Sequence, residues 1–507
     1  MPSEPEKFSI DEIIDRLKQS SADEAQEQGE LITRADGTQA VRVRKRKRRS
    51  QQPEKAVAGQ QRRSRMIQVS AVLILLLAAA LVFGSAIIYA NSSSFREKII
   101  RLIGDCSGAQ VKLERLRINP ARAVAGQVTL TWPEGNALRE LAVRGASADI
   151  APSSFFGNSL HGEEVSCSQG LLTVAVPKPG EPLRTGAALE GPSEVRFQRY
   201  AISKLQVRFG DPVLPLAWLE DSEASFQPNN AGGRPQLLLN RGVIHMLGWP
   251  KLRLDRSHIE FPVGELNIVG MRLLPENDNL GTIELTGAVS PYAIDQSSVL
   301  SVRLESFPLP EIAGTDMGRL VSGRISSVTV PTNTLSLQGA PDLTPVLTVT
   351  FQNPLASPVQ IHHFPFITQL ARAMEDNWFE SPIFEEDAKG MLVRSGSSVT
   401  LEGLDFRNKD RMAVRGTLTV TKDRKLSGAL RVGITPAMVA SAPNRNLDLL
   451  AGPVEDGFRW FDLKIGGTSN APTDDFLRLL EAAKSKTERT APASRRPSDF
   501  DSLTTPE

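Results

Sequence analysis

The sequence predicts a mainly β protein carried on a single transmembrane helix, and two observations carry most of that reading. Residues 66–89 contain no charged side chain. At about 1.5 Å per residue a helix of that length spans roughly 36 Å, enough for a hydrocarbon core of about 30 Å. Beyond it, apolar residues alternate with polar ones along most of the chain, the period of strands with one apolar and one wet face. The expected fold is an elongated, curved antiparallel sheet with a few short helices.

Residues 1–65 come first. Arg42, Arg44, Lys45, Arg46, Lys47, Arg48 and Arg49 form a basic cluster, and Arg62, Arg63 and Arg65 sit directly before the apolar run. On the other side Arg96 and Lys98 are accompanied by Glu97, so the positive-inside rule places residues 1–65 in the cytoplasm and the remainder across the membrane. In that position the basic cluster suits a topology determinant touching anionic lipid better than a nucleic-acid site. The rest of the segment is rich in Glu, Gln, Ser and Lys and reads as a disordered tail, with a short amphipathic helix over Ile10, Ile13, Ile14 and Leu17. A cleaved signal peptide is the alternative for residues 66–89, since Gly84 and Ala86 mimic a cleavage site. Its apolar region would be only about 7–15 residues long after a short leader, which favours a retained anchor.

Of 507 residues with a net charge of +1, roughly 400 remain beyond the anchor, long for one compact core. Because the positive charge is concentrated before the membrane, this part is near neutral or acidic, which speaks against nucleic acid as a partner. Its two cysteines, Cys106 and Cys167, could pair in an oxidising compartment or stand as two buried thiols. Phe95, Ile99, Leu102 and Ile103 follow helical spacing and Gly108 is a stop, giving a short helix at the membrane exit.

Strands follow. The alternation runs through Val128, Leu130 and Trp132, through Leu172, Val174 and Val176, and through Leu205, Val207 and Phe209. It returns at Leu252 and Leu254, Ile283 and Leu285, Val302 and Leu304, and Leu347, Val349 and Phe351. It ends with Val399 and Leu401, Met412 to Val420, Leu430 to Ile434, and Leu463 and Ile465. Residues 411–420 and 426–434 read as a hairpin turned at residues 422–425. Gly287, Gly416 and Gly467 sit where bulges would bend the sheet. Helical spacing reappears only over residues 364–378 and 474–484, the latter capped by Thr473.

Nothing points to an enzyme. His161, His245, His258, His362 and His363 form no ligating pattern, because adjacent strand residues face opposite ways. There is no nucleophile elbow, phosphate loop or zinc spacing, and Glu385, Glu386 and Asp387 read as solvated charge. No cofactor, metal or catalytic residue is expected.

The segment Phe95-Arg96-Glu97-Lys98-Ile99-Ile100 leading through Gly108 to Val111-Lys112-Leu113 resembles the opening of AsmA-like proteins of the Gram-negative envelope. The far end resembles that family's C-terminal region, in Val393-Arg394-Ser395-Gly396, Val399-Thr400-Leu401-Glu402-Gly403-Leu404, the strand 412–420, Leu426-Ser427-Gly428, and Gly466-Gly467-Thr468 before Pro472. The resemblance implies a bridge-like β-groove that moves phospholipid between inner and outer membranes and supports outer-membrane homeostasis. About 15 to 20 strands would make that groove roughly 70 to 100 Å long, short for the family. The organisation expected is a tail (1–65), a transmembrane helix (66–89), a central β-groove (91–390), an AsmA-like C-terminal region (391–485) and a disordered tail (486–507). Leu205, Val207, Phe209, Ile283, Leu285, Leu347, Val349 and Phe351 are the groove candidates, since a sheet with an apolar face and few helices to cover it suits acyl chains. The rival expectation is a periplasmic scaffold for envelope proteins, its strands closed over a dry core and its edges open to partners.

Topology is tested directly: a reporter active only outside the cytoplasm, fused after Thr487, should be active, and silence there with activity before Arg62 would reverse the orientation.

Overall fold

The computed structural model describes residues 31–33, 35–37, 39–41, 53–119, 122–155, 159–176, 194–228, 234–262, 265–289, 298–337 and 344–490. The helix expected around Ile10 to Leu17 and the tail beyond residue 490 lie outside these. Residues 1–83 and 84–507 form two units. In the first, Leu31–Thr33 pairs antiparallel with Gln39–Val41 across a turn whose Gly37 takes φ 81°, the conformation that Asp-Gly turns supply. Helix α1, Pro53–Ala90, starts ahead of the apolar run because Ala, Glu, Lys, Gln and Arg extend it and Pro fits its first turn. Part of the segment expected as a disordered tail is therefore ordered. Within α1, Val72–Ala90 is long and apolar enough to cross a membrane, and its side chains from Val72 to Val82 are exposed.

Helix α2, Ser93–Ser107, follows as the spacing predicts. Ser92 caps it by accepting from the Phe95 N–H, and Gly108 ends it at φ 65°, donating to the Gly104 carbonyl. Phe95, Ile99 and Leu102 are its buried stripe, packed with Leu113, Ile118, Ala123, Ile150, Leu160 and Phe197. Between the helices, the Asn91 carboxamide imitates a strand neighbour: Nδ2 donates to the Ile118 carbonyl and Oδ1 accepts from the Ile118 N–H, both at 2.9 Å. Arg96 donates to the Leu113 carbonyl and Trp132 Nε1 to the Ser107 carbonyl at 2.8 Å. The residue between the two helices and both ends of α2 are thus fastened to the first strands.

The strands pair largely in chain order. Gln110–Glu114 and Arg117–Asn119 both join Arg122–Thr131, which joins Leu138–Ile150. That strand carries Leu160–Cys167 and Gln169–Val174 end to end, and both run parallel to the long strand Val195–Gly210. This parallel seam corrects the all-antiparallel expectation. The connection of residues 175–194 is long enough for the return that parallel pairing requires. From there every ladder is antiparallel, through Pro215–Gln227, Leu252–Glu260, Leu266–Pro275, Thr282–Val289 and Ser298–Glu305 to Thr334–Leu337 and Pro345–Gln352. Asp387–Ser395, Ser398–Asn408, Met412–Val420, Leu426–Ile434, Phe458–Gly467 and Pro472–Asp474 complete the order. Where Gln236–Asn240 and Val243–Met246 both bridge Pro215–Gln227 to Leu252–Glu260, the ladders close a small local ring. No described ladder joins the first strands to Pro472–Asp474. The hairpin 412–420/426–434 forms as expected, with Val420 opposite Leu426. Gly416 adopts φ 142°, and a Cβ there would lie 2.1 Å from the Ala429 carbonyl oxygen, so only glycine fits the bend beside the register shift at Leu401 and Leu404.

More helices are present than the sequence indicates. Besides α4, Pro365–Met374, and α7, Phe476–Thr490, there are α3, Leu309–Gly318, α5, Pro436–Ser441, and α6, Asn446–Leu450. The three unexpected ones are too short, or in α3 too interrupted at Gly314, to leave a periodic pattern. Helix α7 continues to Thr490, past the boundary expected at residue 486.

Cys106 and Cys167 are not joined in the disulfide that was one reading of the pair. Cys106 lies on α2, partly buried, whereas Cys167 packs in a separate small cluster with Ala125, Val143 and Ala146. Burial pushes the Cys167 thiol up to about 11 from its ordinary 9.0. The unfolded thiol therefore loses its proton first as pH rises, and that favours unfolding. Between pH 9 and 11, denaturant titrations should show the parent losing stability relative to Cys167→Ala, with parallel pH profiles below that window.

Candidate functional site

The feature that concentrates the sequence-derived candidates is the apolar face of the sheet. Cross-strand register decides which residues share it, because directly opposed side chains point to the same side. Leu172 stands beside Val207, Val207 beside Leu219, Leu219 beside Ile244 and Ile244 beside Leu252. A second row runs Leu254, Leu273, Ile283, Leu304. A third joins Leu300, Leu335, Leu347, Arg394, Val399, Val420 and Leu426 across seven neighbouring strands. Leu205, Ile283, Leu285, Leu347, Val349 and Phe351 belong to one contiguous buried cluster, and Val207 packs against it. Phe209 is half-buried at the end of its strand, opposite Ala217.

Coverage of this face is uneven. Val349 and Phe351 have no exposed surface, and their cluster includes Leu309, Ile312 and Met317 of α3, Phe366 and Leu370 of α4, Val439 of α5, Leu447 of α6, and Phe476 of α7. Here the expectation of few covering helices fails, and Leu347, Val349 and Phe351 line a dry core instead of an open surface. In the central strands Leu205, Ile283 and Leu285 retain 5–6 % exposure. Around them Leu237, Ile244, Met246, Phe261, Leu266, Met271 and Val289 are only partly buried while packing on the same cluster. At one rim, the turns between successive strands present Val213, Leu214, Leu247 and Leu280, all more than two-thirds exposed.

The outer face is polar and densely paired. Asp405 receives both Arg407 and Arg415, which hold its carboxyl below the usual range against a burial that would raise it. The guanidinium groups of Arg415 and Arg431 both lie over Trp460, at 4.7 and 5.2 Å from its ring, and Arg431 pairs with Glu455 at 2.7 Å. Glu386 and Asp387 meet Lys409 and Lys389. The histidines are dispersed: His161 sits among Ser153, Ser154 and Ser159, and His258 contacts Gln236. His245 stacks on Trp218 at 4.5 Å. His362 contacts Ser322 at 2.7 Å, and burial, then His363, lowers its pKa. Among the described residues no three His, Cys, Asp or Glu side chains converge as metal ligands.

Compared with protein-family models, curated proteins and solved structures, the chain finds no match. What its surface can do chemically therefore rests on its own residues: an apolar face fully buried at one end and only partly buried in the middle.

The difference in cover is measurable. Val349→Asp buries an unpaired carboxylate and should cost about 3–5 kcal/mol, whereas Met271→Asp, on the partly exposed stretch, should cost about 1 kcal/mol. Thermal unfolding of the two variants checks the gradient, and equal losses would contradict it.

Proposed function

We propose that this protein is an inner-membrane-anchored, periplasmic carrier of phospholipid, with acyl chains lying against the half-covered apolar face of its central strands. The sheet there curves into a groove, and movement of lipid along it serves transfer between inner and outer membranes and outer-membrane homeostasis. The observation that carries this reading is the row of partly buried apolar side chains, Leu237, Ile244, Met246, Phe261, Leu266, Met271 and Val289, on a face that is otherwise continuous with the sealed core. Such a stretch exceeds what scattered surface apolar residues explain, and hydrocarbon covers it without polar partners. The anchor helix and the AsmA-like resemblance at residues 95–113 and 391–485 support the same placement. With residues 1–65 cytoplasmic, the sheet stands on the periplasmic side. No catalysis is assigned, and α3 to α7 close the C-terminal end.

That closure is also what favours a second reading, a non-enzymatic scaffold for envelope proteins, in which the central face is covered by a protein partner instead of lipid. Photo-crosslinking separates the two. With the full chain in its native membrane, a photoreactive residue at Leu237, Ile244 or Met271 should yield phospholipid adducts, and one at Phe351 should yield none. Protein adducts without phospholipid at all three positions would favour the scaffold and overturn the carrier.

A further inference from the structure

One position interrupts the apolar face. In the row from Leu300 to Leu426, every residue is apolar except Arg394, which stands between Leu347 and Val399. It is only 4 % exposed. Its Nη1 donates to the Ile312 carbonyl at 2.7 Å and its Nη2 to the Gly248 carbonyl at 2.6 Å, while its plane lies over the Trp249 ring at 4.9 Å. A guanidinium has five N–H donors, so these bonds leave most of its capacity unused. Its Nε has no partner, and neither has the buried Nε1 of Trp249 next to it. Among the described residues no carboxylate pairs with Arg394. A buried cation without a counter-charge is strongly unfavourable, and two neutral carbonyls compensate only part of it.

The guanidinium borders a cavity of about 260 Å³, lined also by Gly248, Trp249, Gly314, Thr315 and Ser397, far larger than the ~30 Å³ share of one water. The 246–251 turn of the central sheet, α3 and the turn after Arg394 build it together with Val399 and Val420 of the next two strands. Two glycines permit their approach. Gly314, at φ 80° and ψ 165°, breaks α3 where a Cβ would come within 3.2 Å of Arg394 Nη1. Gly248, at φ 75°, faces Ser397, whose Oγ would lie 2.8 Å from a Cβ. The one carboxylate at the wall, Asp316, is already engaged: it accepts from Ser469 Oγ at 2.8 Å and faces Arg424 at 3.6 Å.

We propose that this cavity is a phosphate-binding site, in which Arg394 and Trp249 Nε1 donate to the oxygens of a phosphate group, carried by a phospholipid headgroup or free in solution. A planar guanidinium fork is suited to two phosphate oxygens at once, and the Thr315 and Ser397 hydroxyls at the walls add donors from other directions. Burial lowers the guanidinium only to about 10, so it stays charged at neutral pH. In its headgroup form the proposal rests on the acyl-chain reading above, because it fixes one end of a lipid whose chains lie on the adjoining face. The free-phosphate form does not.

The test uses the purified full chain in an uncharged detergent, titrated separately with inorganic phosphate and with a short-chain phosphatidylglycerol, and read by calorimetry and phosphorus NMR. Arg394→Met should fold, because an apolar side chain of similar length replaces an unpaired charge, and should weaken phosphate binding at least ten-fold. Trp249→Phe, which keeps the ring and removes the donor, should weaken it several-fold, and it decides the matter if the methionine variant fails to fold. Binding of the phospholipid alone identifies the headgroup as the source. Binding of inorganic phosphate with exclusion of the phospholipid supports the site while removing its link to lipid. Absence of both in the parent, or binding unchanged in both variants, would overturn the proposal and leave Arg394 as a clamp on the Gly248 and Ile312 carbonyls.

Discussion

A sheet with one apolar face must keep water from it, and the architecture beyond residue 84 is organised by how that requirement is met. Each buried apolar side chain contributes on the order of 1.5–3 kcal/mol, so a face running through some twenty strands is the dominant stabilising feature. At the C-terminal end it is covered within the chain itself, by five short helices whose Phe366, Leu370, Met317 and Phe476 side chains are fully buried with Val349 and Phe351. Over the central strands the cover thins, and Ile244 and Met271 stay partly exposed on the same surface. Burial is thus distributed unevenly along one face, complete where the helices lie and partial where they stop.

The junction between α1 and α2 obeys a different rule, the need to pair backbone groups. The strand Arg117–Asn119 has Arg122–Thr131 on one side, and the Asn91 carboxamide supplies the donor and acceptor that Ile118 presents on the other. Phe95 fills the apolar end of the same junction, its ring edge-on to Tyr89 at 5.5 Å. This arrangement fastens the turn at Asn91 to the strand Arg117–Asn119.

Charge follows burial. On the wet face Arg415, Arg431 and Arg407 are met by Asp405, Glu455 and Asp456, at little net gain per exposed pair. On the apolar face Arg394, the one buried guanidinium among the described residues, has neutral carbonyls and an indole instead. Of the two environments, only the second gives a charge that a ligand could improve, and for that reason the phosphate proposal is placed there and not among the more numerous arginines outside.

The amino-acid sequence determined the elements whose rules are local. The uncharged run, the helix stopped at Gly108, the alternating strands and the hairpin turned at residues 422–425 are all legible, because periodicity, stops and turn residues act over a few positions. It also identified the apolar phase of each strand, so that seven of the eight candidate residues fall on the shared cluster or against it. What tertiary structure decided is everything that depends on distant partners. The parallel seam at Val195–Gly210 requires a return over residues 175–194, and long strands with register shifts, such as Pro215–Gln227, carry no single alternating phase. The short helices α3, α5 and α6 form because an apolar face lies beneath them, not because their own sequences demand it. The same cause turns Val349 and Phe351 from exposed-phase candidates into core. Arg394 reads in sequence as one more strand residue, and only register across seven strands places its charge on the apolar side, where burial gives it meaning.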